Sequence, residues 1–237
     1  MAEEHFIQDF LATLSHEFRT PLASLIASLE LFGEDGAQLS RQEQAELLRM
    51  LRLSATNLQT LVDNLLDNAN LQAERLKLNL QPSPLQKIIV EAIHLMQALL
   101  DRRGQALHYH SPLALSPVLA DGPRIRQVLV NLLMNASKYS SEGSSIDITV
   151  QVQGEAVQVF IADRGSGLPS TDPQLLFLPF QRFPPSPNVN QFHQEEVSGL
   201  GLGLAVVKGL IEAHGGQIYV QAREGGGAIF GFSLQKA

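Results

Sequence analysis

A seam of apolar residues, Ile7, Leu11, Leu14, Phe18, Leu22, Leu25, Leu29 and Phe32, narrows what the start of this chain can become. The steps along it are three or four residues throughout, the spacing of a helical core seam. A single step of four replaces a three beside Pro21. Proline in a helix interior costs about 3 kcal/mol, because it removes a hydrogen bond and crowds the preceding turn. A helix built only to pack gains nothing from it. His16 lies off the seam, with Thr20 one turn further on the same face and Glu17 beside it. An exposed His–Glu pair beside a local distortion reads as a reactive site. The blander alternative is a solvated face on a structural helix.

A second long helix follows. Ser40 and Glu43 form a capping-box pattern, after which Leu48, Leu51, Ala55, Leu58, Val62, Leu65 and Ala69 repeat at alternating steps of three and four. The connection from Gly33 to Leu39 is short, so the two helices are expected to form an antiparallel hairpin. Two helices cannot close a core around both seams. Pairing two hairpins into a four-helix bundle does, which predicts a homodimer.

Around Leu80-Gln81-Pro82-Ser83-Pro84 the period changes, so the expected domains are 1–80 and 81–237. Beyond the boundary, a helix is predicted over Leu85–Arg102, with short strands at Ala106–His110 and Val118–Ala120. A helix over Pro123–Tyr139 precedes alternating strands at Ile146–Gln153 and Ala156–Ala162. A last helix covers Leu202–Ala213, and a glycine-rich hairpin joins Ile218–Ala222 to Ala228–Leu234. The pattern is that of an α+β sandwich, a sheet with helices on one face. The long stretch between Arg164 and Ser198, which holds Pro184, Pro185 and Pro187, reads as a lid, a binding loop or disorder.

Composition excludes several classes. The chain has 237 residues, 44% of them hydrophobic, enough for one or two folded domains. A formal charge of −7 weighs against nucleic acid and anionic membrane surfaces as partners. There is no cysteine, hence no disulfide framework or thiolate metal site. The acidic start Met-Ala-Glu-Glu-His is not a secretory signal, and no apolar run approaches the roughly 20 residues of a membrane span. The expectation is a soluble piece without membrane contact.

Three pieces of the second domain carry chemistry. Asn131, Asn135 and Lys138 share one helix face, where a carboxamide oxygen is a hard ligand suited to Mg²⁺ and an ammonium suits a phosphate. Asp163-Arg164-Gly165-Ser166-Gly167 follows a strand, so its aspartate can accept from an exocyclic amino group while the glycines admit a ligand. Gly199-Leu200-Gly201-Leu202-Gly203-Leu204 opens a helix and offers backbone N–H groups to an anion. It is neither a Rossmann fingerprint nor a Walker A sequence. Each piece has an ordinary structural explanation. Together, in this order, they point to a nucleotide.

With these motifs in place, the chain resembles the sensor histidine kinases of two-component signalling. Ser15-His16-Glu17-Phe18-Arg19-Thr20-Pro21-Leu22 looks like the family's H box, and Asn131 to Tyr139 its N box. Asp163 to Gly167 resembles the G1 box, Phe177-Leu-Pro-Phe180-Gln-Arg182-Phe183 the F box, and Gly199 to Leu204 the G2 box. The resemblance implies a dimerisation and phosphoacceptor domain joined to a Bergerat-type ATP-binding domain. Two positions depart from the pattern. Leu200 and Ala228 stand where the family usually has a hydroxyl residue.

Carried over residue by residue, the resemblance makes His16 the acceptor of the ATP γ-phosphoryl group and Glu17 its orienting carboxylate. Asn135 would hold Mg²⁺ with Asn131 in support, and Lys138, Tyr139 and Arg182 would line the nucleotide site. Asp163 would select adenine, while Gly165, Gly167, Gly199, Gly201 and Gly203 would give room to ATP. The phosphoryl group then passes to the receiver domain of a response regulator. Thr20 resembles the residue that lets some members dephosphorylate that partner. The family further implies a cytoplasmic location, with room for a sensing region upstream. Two alternatives stay open here: a nucleotide-binding dimeric scaffold with weak or no kinase activity, and a Bergerat-type ATPase, which His16 and Asn131 disfavour. His108 and His110 share a strand face without an evident third metal ligand. His214 is expected at a helix C-terminus, where partial positive charge is favourable.

Overall fold

Ser40 and Glu43 start the second helix by satisfying each other's backbone. The Ser40 N–H donates to Glu43 Oε2 at 2.8 Å and the Glu43 N–H to Ser40 Oγ at 3.3 Å, the expected capping box. The Ser40 hydroxyl bond, and then the Ser40 backbone bond, hold the Glu43 carboxyl below its usual pKa. The computed structural model describes residues 2–35, 39–169, 172–181 and 200–237 and, for residues 2–9, 34 and 35, the backbone alone. Helix α1 spans Ala2–Asp35 and α2 spans Arg41–Gln72. Ser54 Oγ donates to Ser24 Oγ at 3.0 Å. These two serines stand at similar distances from the short connection, so the helices run antiparallel. Residues 36–38 of that connection and the Ile7 side chain lie outside the description.

Two compact units result. The first holds α1, α2 through Leu66, and Leu200; the second holds the rest of the described chain from Asp67. In the first, Leu14, Phe18, Leu25, Leu51, Leu58 and Leu65 are half-buried. Leu11, Leu22, Leu29, Phe32, Leu48 and Val62 from the same two seams are exposed. Each seam is therefore only half covered by its neighbour helix.

The second unit is a sheet under three helices. In chain order it runs β1 (Gln81–Ser83), α3 (Leu85–Arg102), β2 (Ala106–His110), β3 (Val118–Ala120) and α4 (Gly122–Tyr139). Then come β4 (Ser145–Gln153), β5 (Ala156–Ala162), α5 (Gly203–Ala213), β6 (Ile218–Ala222) and β7 (Ala228–Gln235). The main sheet has the order β2-β4-β5-β7-β6, with only the β2–β4 pair parallel. Strand alternation sends Ile146, Ile148, Val159, Ile161 and Phe232 inward, where they meet Ile89, Leu129, Leu133 and Val207 of the helices. The α+β sandwich is the fold the periodicity predicts, with element ends within a residue or so.

Two small elements were not expected. β1 pairs with β3 antiparallel, Pro82 facing Leu119. Within the long stretch after Arg164, a 3-10 turn covers Pro173–Phe177, capped by Asp172, which accepts from the Gln174 N–H at 2.9 Å.

His214 corrects an expectation. It does stand at the C-terminus of α5, but its Nε2 accepts from the Asp121 N–H at 3.1 Å. A backbone N–H can only donate, so Nε2 carries no proton, and Nδ1 must give its own to the Leu210 carbonyl at 2.7 Å. The ring is neutral and serves as a hydrogen-bond bridge between α5 and the start of α4. Asp121 then caps α4 through Arg124 N–H and takes Asn79 N–H on its other oxygen. Arg124 and Gln127 in turn hold the buried Asp67 carboxylate at 2.8 and 2.6 Å.

Candidate functional site

His16 is exposed on α1 and Glu17, the next residue, is buried. Pro21 brings no N–H to the helix, so the ladder lacks the bond this position would otherwise donate one turn back. Thr20 donates its hydroxyl to the His16 carbonyl at 3.2 Å, which fixes the side chain one turn above the histidine. Its oxygen keeps lone pairs for a further donor. The reactive face of α1 is thus open to solvent where the helix ladder is interrupted.

In the second unit, the site begins on α4. Asn131 is buried, Asn135 and Lys138 are partly exposed, and Tyr139 is exposed at the last turn. The Lys138 ammonium lies 5.2 Å from the centroid of the Tyr139 ring, within cation–π range. Beside this helix end stands Asp163, where β5 gives way to the glycine turn. Its side chain is 4% exposed, and Oδ1 accepts from Gly165 N–H at 2.8 Å and Ala228 N–H at 3.1 Å. Both bonds fall on one oxygen, and among the described residues nothing donates to Oδ2. Burial pushes the Asp163 carboxyl above its usual pKa, partly opposed by those two backbone bonds and by the Arg223 charge. A buried carboxyl with one oxygen uncommitted suits a ligand that brings its own donor.

The glycines are steric requirements here. A Cβ on Gly165 would collide with the backbone carbonyl of Tyr139, and one on Gly227 with the carbonyl of Asp163. Gly165 also bridges to Ser140, and the Arg164 N–H donates to Ser140 Oγ at 3.3 Å. The aspartate turn is thereby attached to the end of α4. The Arg164 side chain points elsewhere, onto Asp147 at 2.8 Å and the Ser145 carbonyl at 2.6 Å. His108 meets the other Asp147 oxygen at 3.0 Å. Desolvation opposes ionisation of Asp147, but the bonds from His108 and Arg164 prevail and hold its pKa below the usual range.

A third group of residues frames the start of α5. Gly201 has φ +68°, and a Cβ there would come within 2.7 Å of the Gln181 carbonyl. Phe180 adopts a left-handed φ of 63°, unusual for a bulky residue, and donates its N–H to the Gly201 carbonyl at 3.0 Å. Phe177 is buried edge-on to Phe230 at a centroid distance of 6.4 Å. Gly203 begins α5 and Gly167 lies close to the Gly227 backbone. Arg182 and Gly199 lie outside the described residues.

The structure therefore brings together Tyr139, Asp163, Gly165, Gly167 and the Gly227–Ala228 backbone, and joins Phe180 to Gly201. His16, Glu17 and Thr20 belong to the first unit. Sequence reasoning missed Ser140 and Gln105, which support the end of α4; no local pattern marks either. Among the described residues no group of three His, Cys, Asp or Glu side chains is arranged for a metal. That donor chemistry does not make a protein cage. The partly exposed Asn135 carboxamide is a hard oxygen donor of the kind Mg²⁺ accepts.

Comparison with known proteins gives two family matches. Residues 6–74 match the His Kinase A (phospho-acceptor) domain, and residues 120–237 match the histidine kinase-, DNA gyrase B- and HSP90-like ATPase family. The chain is 33% identical over 224 residues to the sensor protein KdpD of Escherichia coli, covering 94% of this chain and 24% of that protein. It is 31% identical over 241 residues to the adaptive-response sensory kinase SasA of Thermosynechococcus vestitus, covering 99% and 61% respectively. The chain thus spans only part of the curated relatives it matches. Among solved structures, the Acinetobacter baumannii histidine kinase AdeS superposes with TM-score 0.60 at 25% identity, over 93% of this chain and 98% of that one. Full-length ShkA in complex with AMPPNP gives TM-score 0.62 at 29% identity, over 96% and 46%.

Proposed function

The chain belongs to the histidine kinases, and on that premise we propose that it takes the γ-phosphoryl group of ATP onto His16 and passes it to an aspartate of a response regulator. The observation that carries this reading is the pairing, in one chain, of an exposed His16 one turn from a helical proline with a buried Asp163 set in a glycine turn with one oxygen uncommitted. Neutral imidazole is nucleophilic at the nitrogen without a proton. Its lone pair attacks the γ-phosphorus, the N–P bond forms, and the bond to the β-phosphate oxygen breaks to release ADP. Glu17 holds the proton of the other ring nitrogen and stabilises the positive charge that develops, the role of a carboxylate beside a catalytic histidine.

Transfer of this kind depends on positioning and charge more than on covalent chemistry. Asp163 Oδ2 accepts the exocyclic amino group of adenine. Lys138, and Arg182 from beyond the described residues, meet phosphate oxygens, and Tyr139 closes the edge of the site. Gly167 and Gly203, with Gly199 from beyond the described residues, leave backbone open to the nucleotide, whereas Gly165 and Gly201, whose Cβ space is taken by the backbone of Tyr139 and Gln181, shape the turns around it. Asn135, with Asn131 behind it, would hold Mg²⁺, which would supply charge neutralisation to the phosphates. Asn131 is an amide and cannot act as a base toward water, which favours transfer to His16 over hydrolysis.

The half-covered seams support a homodimer. Leu22, Leu29, Phe32, Leu48 and Val62 form exposed apolar stripes that a second hairpin would bury as a four-helix bundle. No helix among the described residues is long and apolar enough to cross a membrane. Domains 1–80 and 81–237, and a cytoplasmic location, belong to the same reading. Thr20, fixed one turn from His16, orients a water when the phosphorylated regulator returns to the bundle.

The test is incubation with γ-labelled ATP and Mg²⁺. Acid-labile, base-stable label is expected on His16 and transfers to a receiver domain. His16→Gln loses it completely while nucleotide affinity stays within about twofold, since acceptor and nucleotide site use different residues. Stable phosphohistidine in that variant sinks the assignment of His16, and free phosphate without phosphoprotein replaces the kinase with an ATPase.

A further inference from the structure

The last turn of α4 carries Asn135, Lys138 and Tyr139, yet a helix end has carbonyls with no partner in the helix itself. For Ala136 the Ser140 N–H closes the ladder at 3.2 Å. The Ser137 carbonyl falls beyond that and receives its donor from a distant part of the chain. Gln105, at the entry to β2, gives one Nε2 proton to the Ser137 carbonyl and the other to the Ser141 carbonyl, each at 3.1 Å. Its Oε1 accepts the Ser137 hydroxyl at 2.6 Å. Gln105 is buried and Ser137 fully so. Next to it, the buried Arg103 donates Nη2 to the Ser140 carbonyl at 3.2 Å, placing a cation at the negative end of the helix.

Every hydrogen-bonding position of the Gln105 amide protons is thus spent on one helix end. Its partners fall on both sides of the Lys138-Tyr139-Ser140 segment. We propose that Gln105 is a positioning residue for the nucleotide site, a C-terminal cap supplied from another element that fixes the ligand-bearing turn of α4. This rests on the reading of Asn135 and Lys138 as the Mg²⁺ and phosphate contacts. Ser140 extends the effect, since its hydroxyl takes the Arg164 N–H beside Asp163. The amide matters, because only a group with two protons and an acceptor on one planar head satisfies all three partners. Without it, the buried Ser137 carbonyl loses its donor, the Ser141 carbonyl is left to the Ser144 hydroxyl and N–H alone, and the turn relaxes away from the geometry a metal–phosphate contact needs.

The experiment measures AMPPNP binding to the full chain by calorimetry, with Mg²⁺ and with chelator, for the parent, Gln105→Met, Gln105→Glu and Asn135→Ala. Gln105→Met is expected to lose about tenfold in Mg²⁺-dependent affinity while affinity in chelator stays within about twofold. A purely structural loss moves both alike. Gln105→Glu sets a carboxylate against two carbonyls, so it should bind worse still at neutral pH. It should recover relative to the parent on acidification, when the protonated acid regains one donor. That profile stands in for Gln105→Met if the latter does not fold. An unchanged Mg²⁺ gain in Gln105→Met, or a Gln105→Glu deficit that ignores pH, overturns the proposal. Asn135→Ala separates the two layers. If it keeps the Mg²⁺ gain, the assignment of Asn135 has failed; if it loses the gain and the Gln105 variants keep it, only the cap has.

Discussion

Helices α1 and α4 both present a row of polar residues along one face, yet the protein treats them in opposite ways. On α1, His16 and Thr20 are exposed, and Pro21 interrupts the ladder at the turn that holds them. On α4, every described end is secured: Asp121 caps the start, His214 bridges to it, and Arg103 and Gln105 hold the last carbonyls. On the proposed function, His16 has to be reached by nucleotide and later by a partner, which its exposed position allows. On the same proposal, the α4 residues have to be in place before the nucleotide arrives, and a helix with both ends held suits that. Glycine usage follows the same division, and it offers the strongest way to break the comparison.

Gly165→Ala should have the largest effect on folding. Its Cβ would press on the Tyr139 carbonyl, backbone against backbone, where neither side can move without opening the joint between α4 and the Asp163 turn. A loss of roughly 3 kcal/mol in the stability of the second unit is expected from such overpacking, together with nucleotide binding. Denaturant unfolding checks the first and calorimetry the second. A variant with parental stability would show that this joint is looser than its contacts imply.

Asp163→Asn should separate stability from binding. Burial raises the Asp163 pKa, so the folded protein holds that proton more tightly than the unfolded chain does. Its contribution is favourable while the group is protonated. It declines as pH rises from the ordinary carboxylate value of about 4 toward the raised folded value. Asparagine has nothing to ionise, and its Oδ1 can still accept from Gly165 and Ala228. The variant should therefore match or exceed the parent in thermal midpoint at neutral pH, with the advantage shrinking toward acid. ADP affinity should fall about tenfold or more, because an NH₂ replaces the oxygen offered to adenine. A drop in midpoint at neutral pH that tracks the affinity would contradict this account.

The same contrast explains what the sequence made legible. Local signals were read correctly: Ser40 with Glu43 as a capping box, the alternation of Ile146 to Val152 as a strand, the Asn131–Lys138 face of a helix. What escaped was contributed from far along the chain. Gln105 and Ser137 are 32 residues apart, and Asp121 and His214 are 93. Nothing in the neighbourhood of His214 reveals that a backbone N–H fixes its ring as neutral. Strand β1 is three residues long, one of them a proline, too short for periodicity, and exists because β3 pairs with it. The seams of α1 and α2 were visible as seams, but their half-exposure emerges only once one hairpin is seen to cover part of each.

Gly33→Ala is the smallest effect and the sharpest control. Gly33 lies inside the last turns of α1, exposed, and a Cβ there would have nothing within 4 Å. No positive φ holds it, so the glycine brings only backbone entropy to a helix that alanine would favour. The substitution should stabilise the hairpin by about 0.5–1 kcal/mol, read as a rise in its thermal midpoint. Autophosphorylation of His16 should stay within about twofold, because the change is several turns from the acceptor and touches no side chain near it. The same chemical change, glycine to alanine, thus acts with opposite sign in the two units. If Gly33→Ala instead loses stability, α1 does not continue as regular helix through that position, and the open, locally determined character assigned to it is wrong.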